Sequence, residues 1–243
     1  MHKDFEGRIA VVTGASRGLG YHLAKQLGAR GAHVIALART VGGLEELDDE
    51  IKAAGGPDAT LVPVDLKDFD ALDRLGAAIF ERWKKLDILI GNAAVTATLS
   101  PVGHIKPKTF EEALATNVTA NWRLIRSLDP LLRQSDAGRA LFLTDAHADG
   151  QTPFWGIHAT TKAALEAMVR TYAAETAKMA VRVNLADPGP MRTGLRAKAM
   201  PGENKDAVPH PSEVAIDLLP LLGKETTQTG SLFHRPSSAW KAV

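Results

Sequence analysis

Cysteine is absent from all 243 residues. That removes disulfide frameworks, thiolate nucleophiles and Cys-based zinc sites together. An excess of one charge is also missing: 29 Lys+Arg face 28 Asp+Glu, for a formal net charge of +1. With no block of basic residues, the chain has no electrostatic footprint for nucleic acid or an anionic membrane surface, and a small-molecule substrate is the expected partner. No apolar run approaches the roughly 18 residues of a spanning helix. The opening "MHKDFEGR" is polar, so neither a signal peptide nor a membrane anchor is expected, and a cytoplasmic address follows by elimination. Internal repeats, low-complexity segments and linkers are lacking as well.

What is present is an alternation. Apolar β-prone runs ("RIAVVTG", "HVIALAR", "ATLVPVD", "LDILIGN", "RALFLTD", "VRVNLAD") are separated by segments of helical period. The helices are predicted over Leu19–Ala29, Leu44–Ala53, Phe69–Lys84, Lys108–Leu132, Ala159–Lys178 and, more briefly, Ser212–Leu222. Strands that read as continuous apolar runs between helices indicate a parallel sheet covered on both faces. The expected fold is therefore α/β, a doubly wound parallel sheet in a three-layer sandwich. At 45% hydrophobic the chain can bury one large core, so residues 1–243 are expected to form a single domain. Two irregular Pro/Gly-rich stretches, "LSPVGHIKP" and "AMPGENKDAVPHP", follow predicted strands on the side where such sheets bind ligands.

The first strand runs into "TGASRGLG", with Gly14, Gly18 and Gly20 spaced GxxxGxG. A turn without Cβ atoms lets the backbone approach a pyrophosphate, which then sits on the amides of a helix N-terminus. Farther on, "GIHATTKAAL" puts His158 four residues ahead of Lys162 near a helix start. Their side chains would leave one face toward a common point.

Together these features resemble the short-chain dehydrogenase/reductase family over nearly the whole chain, and the resemblance implies a Rossmann-like fold. "TGASRGLG" is similar to that family's cofactor turn, which would make Gly14, Ser16, Arg17, Gly18, Leu19 and Gly20 cofactor-binding residues. "GNAA" resembles its Asn-Ala-Gly segment, with Asn92 and Ala93 retained and Ala94 where Gly is usual. Asp65 and Leu66 in "VDL" fall where the family contacts adenine, and Asn117 in "TNVTA" where it keeps an asparagine that holds a water. In "DPGPMRT" the resemblance places Pro188, Gly189 and Thr193 beside the nicotinamide. The second strand ends "ALAR", with Ala38 where an NAD binder carries a carboxylate and Arg39 next to it. Arg39 and Arg17 could converge on a 2'-phosphate, so NADP(H) is expected over NAD(H); the alternative is that both are solvated surface residues.

The catalytic set departs from the family. Aligning Lys162 puts His158 in the Tyr position and Asp145, thirteen residues earlier, in the Ser position. The resemblance implies that Lys162 binds the nicotinamide ribose and Asn117 a water. Imidazole, with an ordinary pKa near 6.5, can exchange a proton at neutral pH, and Asp145 would orient it. The expected function is NADP(H)-dependent oxidation or reduction of an alcohol or carbonyl at an Asp145–His158–Lys162 site. Three alternatives stay open: a catalytically silent NADP-binding sensor or interaction protein; a metal on Asp145, His147 and Asp149 of an extended "DAHAD", with His158 nearby; and a packed loop in which His147 and Trp155 are only wall. No metal is expected in the preferred reading. The helices at 108–132 and 159–178 carry more apolar surface than one sheet face needs, and the family pairs them across a two-fold, so a homodimer or homotetramer is expected. A loop over residues 194–212 is expected to shape the substrate pocket.

Overall fold

The computed structural model describes residues 3–241. Its strands are β1 (Ile9–Thr13), β2 (His33–Ala38), β3 (Thr60–Pro63), β4 (Ile88–Gly91), β5 (Arg139–Leu143), β6 (Arg182–Asp187), β7 (Leu232–His234) and β8 (Ala239–Lys241). The α-helices are α1 (Gly18–Ala29), α2 (Val41–Ala53), α3 (Phe69–Trp83), α4 (Pro107–Leu114), α5 (Ala120–Leu132), α6 (Gly156–Glu175), α7 (Gly194–Ala199) and α8 (Pro211–Leu218). One sheet runs in the order β3-β2-β1-β4-β5-β6-β7-β8. All pairings are parallel except β7 with β8. This is the doubly wound sandwich expected from the alternation, and the Rossmann-like fold that the resemblance implies. Strand order reverses between β1 and β4, and that switch point opens a crevice at the strands' C-terminal ends.

The continuous apolar runs of the sequence resolve into two faces. In β1, Ala10 and Val12 pack with Leu23 of α1 and Val214 of α8, whereas Ile9 and Val11 pack with Leu72 of α3 and Leu124 of α5. A strand buried on both sides has no polar face to show, which is why it reads as an unbroken run. Helices α3 and α5 approach closely because Gly76 has no side chain; a Cβ there would lie 2.2 Å from the Ser127 carbonyl oxygen.

The base of the sheet, opposite the crevice, is tied by two buried guanidiniums, Arg8 and Arg139, the second donating to the carbonyls of Gly223 at 3.0 Å and Lys224 at 2.6 Å. Arg8 donates to the carbonyls of Leu222 and Ala137, both at 2.6 Å, and of Asp87 at 3.2 Å. Asp87 in turn accepts from the Ile9 amide at 2.9 Å and the Ser135 hydroxyl at 2.5 Å.

Several elements differ from expectation. The helix predicted over Lys108–Leu132 runs without interruption from Pro107 to Leu132, but with a π-helical turn at Ala115–Thr119 between α4 and α5. Helix α6 starts at Gly156 and ends at Glu175, ahead of the predicted Ala159–Lys178. The predicted Ser212–Leu222 segment is α8 followed by a 3-10 turn at Leu219–Leu222. Among the described residues no helix is long and apolar enough to cross a membrane.

Candidate active site

At the end of β1 the chain turns on Gly14 and Gly18, whose φ of +68° and +62° are left-handed and favour glycine. Thr13, which the sequence reading missed, pins this turn to the end of β4. Its hydroxyl accepts from the amides of Asn92 and Ala93, each at 3.0 Å, and its carbonyl accepts from Asn92 Nδ2 at 2.8 Å. A Cβ on Gly20 would collide with Asn92 Nδ2 at 2.4 Å and with the Gly14 carbonyl at 2.6 Å. Arg17 stands at the N-cap of α1 in extended conformation and its side chain caps nothing, so the first-turn amides remain free to bind an anion. Over Gly18 a Cβ would meet only Thr193 Cγ2, at 3.6 Å, so the backbone there is open to a ligand. Free amides over an open glycine turn fit the pyrophosphate of a dinucleotide.

The remaining expected cofactor residues lie along the same crevice. Arg17 and Arg39 are exposed and Ser16 is half-buried, while Ala38 is buried at the end of β2. Leu19 and Leu66 bury their side chains in the core, which leaves only their backbone for a ligand. The Asp65 carboxylate accepts from the Lys67 amide at 3.0 Å and closes its own turn. After β6, Pro188 leads into Gly189 at φ +71°, whose amide donates to Asp187 at 2.9 Å. Thr193 caps α7, accepting from the Arg196 amide at 3.2 Å.

The expected catalytic residues converge at the mouth between β5 and α6. The Asp145 carboxylate is gripped by two imidazoles. Its Oδ2 accepts from His158 Nε2, and its Oδ1 accepts both the His147 amide at 2.9 Å and His147 Nδ1 at 3.0 Å. His158 is only 3% exposed, and its Nδ1 has no hydrogen-bond partner. Burial by itself would raise the Asp145 carboxyl, but the His158 hydrogen bond and charge, with Lys162 and the His147 amide, hold it well below the usual carboxylate range. Lys162, buried one turn after His158, donates to the Leu143 carbonyl at 2.6 Å. Its ammonium is pushed down by burial, against the opposing pull of Asp145 and Glu166. Glu166, a further turn along α6, accepts from Thr144 Oγ1 at 2.6 Å and from Arg170 at 2.5 Å.

Asn117 sits on the π-turn rather than against His158. Its side chain accepts from the Val95 amide at 2.9 Å and donates to the Val95 carbonyl and Thr161 Oγ1, both at 3.0 Å. It therefore ties the segment after β4 to the helix that carries His158 and Lys162.

Beyond His158 lies a hollow walled by Thr96, Leu99, Ile105, Phe154 and Trp155. Trp155 stacks on His147, ring centroids 3.7 Å apart, and meets His158 edge-on at 5.5 Å. Phe154, 57% exposed, has the left-handed φ of 72°, and its carbonyl accepts from the Ser100 amide at 3.2 Å. The segment over residues 194–212, expected as a loop, contains α7, and Lys198 Nζ reaches across to the Thr96 carbonyl at 3.1 Å. Arg196 braces it from inside, pairing with Glu203 at 2.8 and 2.6 Å.

The extended "DAHAD" that would align three metal ligands is not adopted. Asp145 caps a 3-10 turn at Ala146–Asp149, and Asp149 accepts from the Gln151 amide at 2.9 Å. Among the described residues no group of three or more potential ligand side chains is close enough to hold a metal ion. Asp187, which the sequence reading did not single out, is buried at the end of β6. Only its position two residues ahead of Gly189 could have flagged it.

Comparison with known proteins matches residues 8–204 to the family model described as short chain dehydrogenase. The chain is 31% identical over 229 residues to the uncharacterized oxidoreductase YciK of Escherichia coli (strain K12), covering 93% of this chain and 90% of that one. Among solved structures, a short chain dehydrogenase from Pseudomonas syringae superposes with a TM-score of 0.93 at 32% identity, covering 97% of both chains. Another from Escherichia coli CFT073, complexed with NADPH, gives a TM-score of 0.91 at 30% identity, covering 97% of this chain and 99% of that one.

Proposed function

The chain belongs to the short chain dehydrogenase family, and on that premise we propose that it is an NADP(H)-dependent oxidoreductase in which His158, held by Asp145, exchanges the substrate proton. When bound, NADP(H) supplies or accepts the hydride. The amides of α1 over Gly14 and Gly18 hold its pyrophosphate, Arg17 and Arg39 its 2'-phosphate, and Asn92, Ala93, Pro188, Gly189 and Thr193 line the rest of the crevice. Lys162 binds the ribose and, with Asp145, fixes the charge around the imidazole; the water expected at Asn117 belongs to the same reading. The observation that carries it is the half-buried Asp145 holding the buried His158, one turn from the Lys162 ammonium and beside the open glycine turn. Residues 1–243 act as one domain, residues 194–212 close over the substrate, and subunits pair through α5 and α6, where Trp122 is 45% exposed.

A cofactor-binding protein without turnover is the second reading. It is favoured by one feature: His158 Nε2 is already engaged by Asp145 and the ring is nearly sealed from solvent.

Fluorescence titration decides the cofactor. NADPH is expected to bind more tightly than NADH, and Arg39→Ala to narrow that gap about tenfold. His158→Ala should lower turnover about a hundredfold or more while leaving NADPH affinity within about twofold. Undiminished turnover in that variant overturns the histidine role. Tight NADPH binding with no consumption by the unmodified protein across carbonyl, alcohol and imine panels favours the second reading.

A further inference from the structure

The hydrogen bonds at the centre run in the wrong sense for a carbonyl. A carbonyl oxygen about to receive a hydride accepts hydrogen bonds, and a site built for it presents donors. Here both oxygens of Asp145 are acceptors, and they already engage His158 Nε2, His147 Nδ1 and the His147 amide. His158 Nδ1 has no partner and is buried out of a ligand's reach. The polar group offered to a ligand is therefore the Asp145 carboxylate, whose side chain is 26% exposed. A ligand complementary to a carboxylate brings its own hydrogen.

Charge points the same way. Besides Asp145, the buried Asp187 carboxylate stands at the end of the neighbouring strand β6, close enough to feel the Asp145 charge. Negative charge growing on a substrate oxygen would be opposed by both, whereas positive charge on nitrogen would be favoured. The wall adds one open aromatic ring, the exposed Phe154 bordering the hollow beside His158, while Trp155 is buried under the stacked His147. A carboxylate beside aromatic rings is the usual receptor for an organic cation. An alcohol, the other donor, would need Asp145 to act as a base, and its well-depressed carboxyl is a weak one.

We propose that the reacting bond of the substrate is carbon to nitrogen: a protonated imine in reduction, or the matching amine in oxidation, with its N–H donated to Asp145 Oδ2. This rests on the NADP(H)-oxidoreductase reading above and names its substrate class. In reduction the imine nitrogen is protonated first, from solvent or from an imidazolium at His158. The iminium carbon then takes a hydride from the reduced nicotinamide, and the C=N π pair withdraws onto nitrogen. The products are a neutral amine and the oxidised nicotinamide, and no proton has to reach an oxygen. Lys162, the nearby cation that opposes such a ligand, is held back on the Leu143 carbonyl with Glu166 behind it.

The test uses the full chain saturated with NADP+, after NADPH titration has established cofactor binding separately. Calorimetry compares tetrahydroisoquinoline, an ammonium at neutral pH, with isochroman, which has the same rings with an ether oxygen at the nitrogen position. The ammonium is expected to bind about tenfold or more tightly, and Asp145→Asn to remove the preference with NADPH affinity kept. In turnover, dihydroisoquinoline should consume NADPH faster than beta-tetralone, and Asp145→Ser should shift the ratio toward the ketone. Equal binding of ammonium and ether, binding of neither, or a faster ketone overturns the proposal. Failure of the NADPH titration instead brings down the reading on which it rests.

Discussion

Asp187 shows how a single buried carboxyl links position to stability. Burial raises its pKa, the Asp145 charge raises it further, and the Gly189 amide and His234 only partly offset them. A carboxyl that titrates higher in the folded protein than in the unfolded chain gives its full stability below the ordinary carboxylate range, and loses it as pH rises through the shifted value. Asp187→Asn keeps the acceptor for the Gly189 amide and deletes the charge. Its melting temperature should exceed that of the parent at pH 7 and match it near pH 3; a lower value at pH 7 contradicts the account. Asp145 has the opposite sign: its depressed carboxyl stabilises above the ordinary range, and that contribution fades as acid protonates it. At this scale the sequence was legible where spacing decides the outcome. His158 and Lys162 share a face because they lie one helical turn apart, and Asp145 meets His158 at the position the family's serine would hold. The second imidazole on Asp145 was not legible, because His147 reaches it only through a 3-10 turn that the Asp145 side chain itself nucleates. Stacking of His147 on Trp155 depends on that same turn.

Among elements, α6 carries an unusual stripe. His158, Lys162 and Glu166 recur every fourth residue, all buried, so one line of the helix is polar although it faces inward. Each bonds a neighbour across the interface, Asp145, the Leu143 carbonyl and Thr144 respectively, with only His158 Nδ1 left over. The π-turn between α4 and α5 fits the same region. It puts Asn117 within reach of Val95 and Thr161, while Asn121 Nδ2 bonds the Asn117 carbonyl at 2.8 Å. No hydrophobic period announces such a turn, so a uniformly wound α-helix was the natural expectation. Helix α7 was equally hidden, since six residues of "GLRAKA" are too few to display a period. The α3–α5 contact makes a sharper prediction. Gly76→Ala drives a methyl into the Ser127 carbonyl, and overpacking of this kind destabilises by about 1–3 kcal/mol. Urea unfolding should show a lower midpoint, and an unchanged midpoint would mean that the helices can part without loss.

The whole molecule divides into two poles. One end of the sheet holds the glycine turn, the imidazoles and the aromatic hollow, and the other is closed by Arg8. Truncating that residue in Arg8→Ala strands buried carbonyls of Leu222 and Ala137, which at roughly 1–3 kcal/mol apiece should destabilise by about 3 kcal/mol or more. Thermal unfolding measures that loss, and NADPH affinity of the protein that stays folded should be unaffected, because the two poles share no side chain. The doubly wound parallel sheet was legible at this scale because the alternation of runs and helices leaves few topologies, whereas the antiparallel β8, three residues long, is too short to read from its pattern. The segment over residues 194–212 is fastened at the upper pole in several places. Arg196 pairs with Glu203, Lys198 holds the Thr96 carbonyl, and the Arg192 amide donates to the Pro209 carbonyl at 2.9 Å while its guanidinium pairs with Asp206 at 3.3 Å, with Ala199 and Val208 buried beneath. A segment held at several points departs only when those contacts break together, so an open arrangement is scarce.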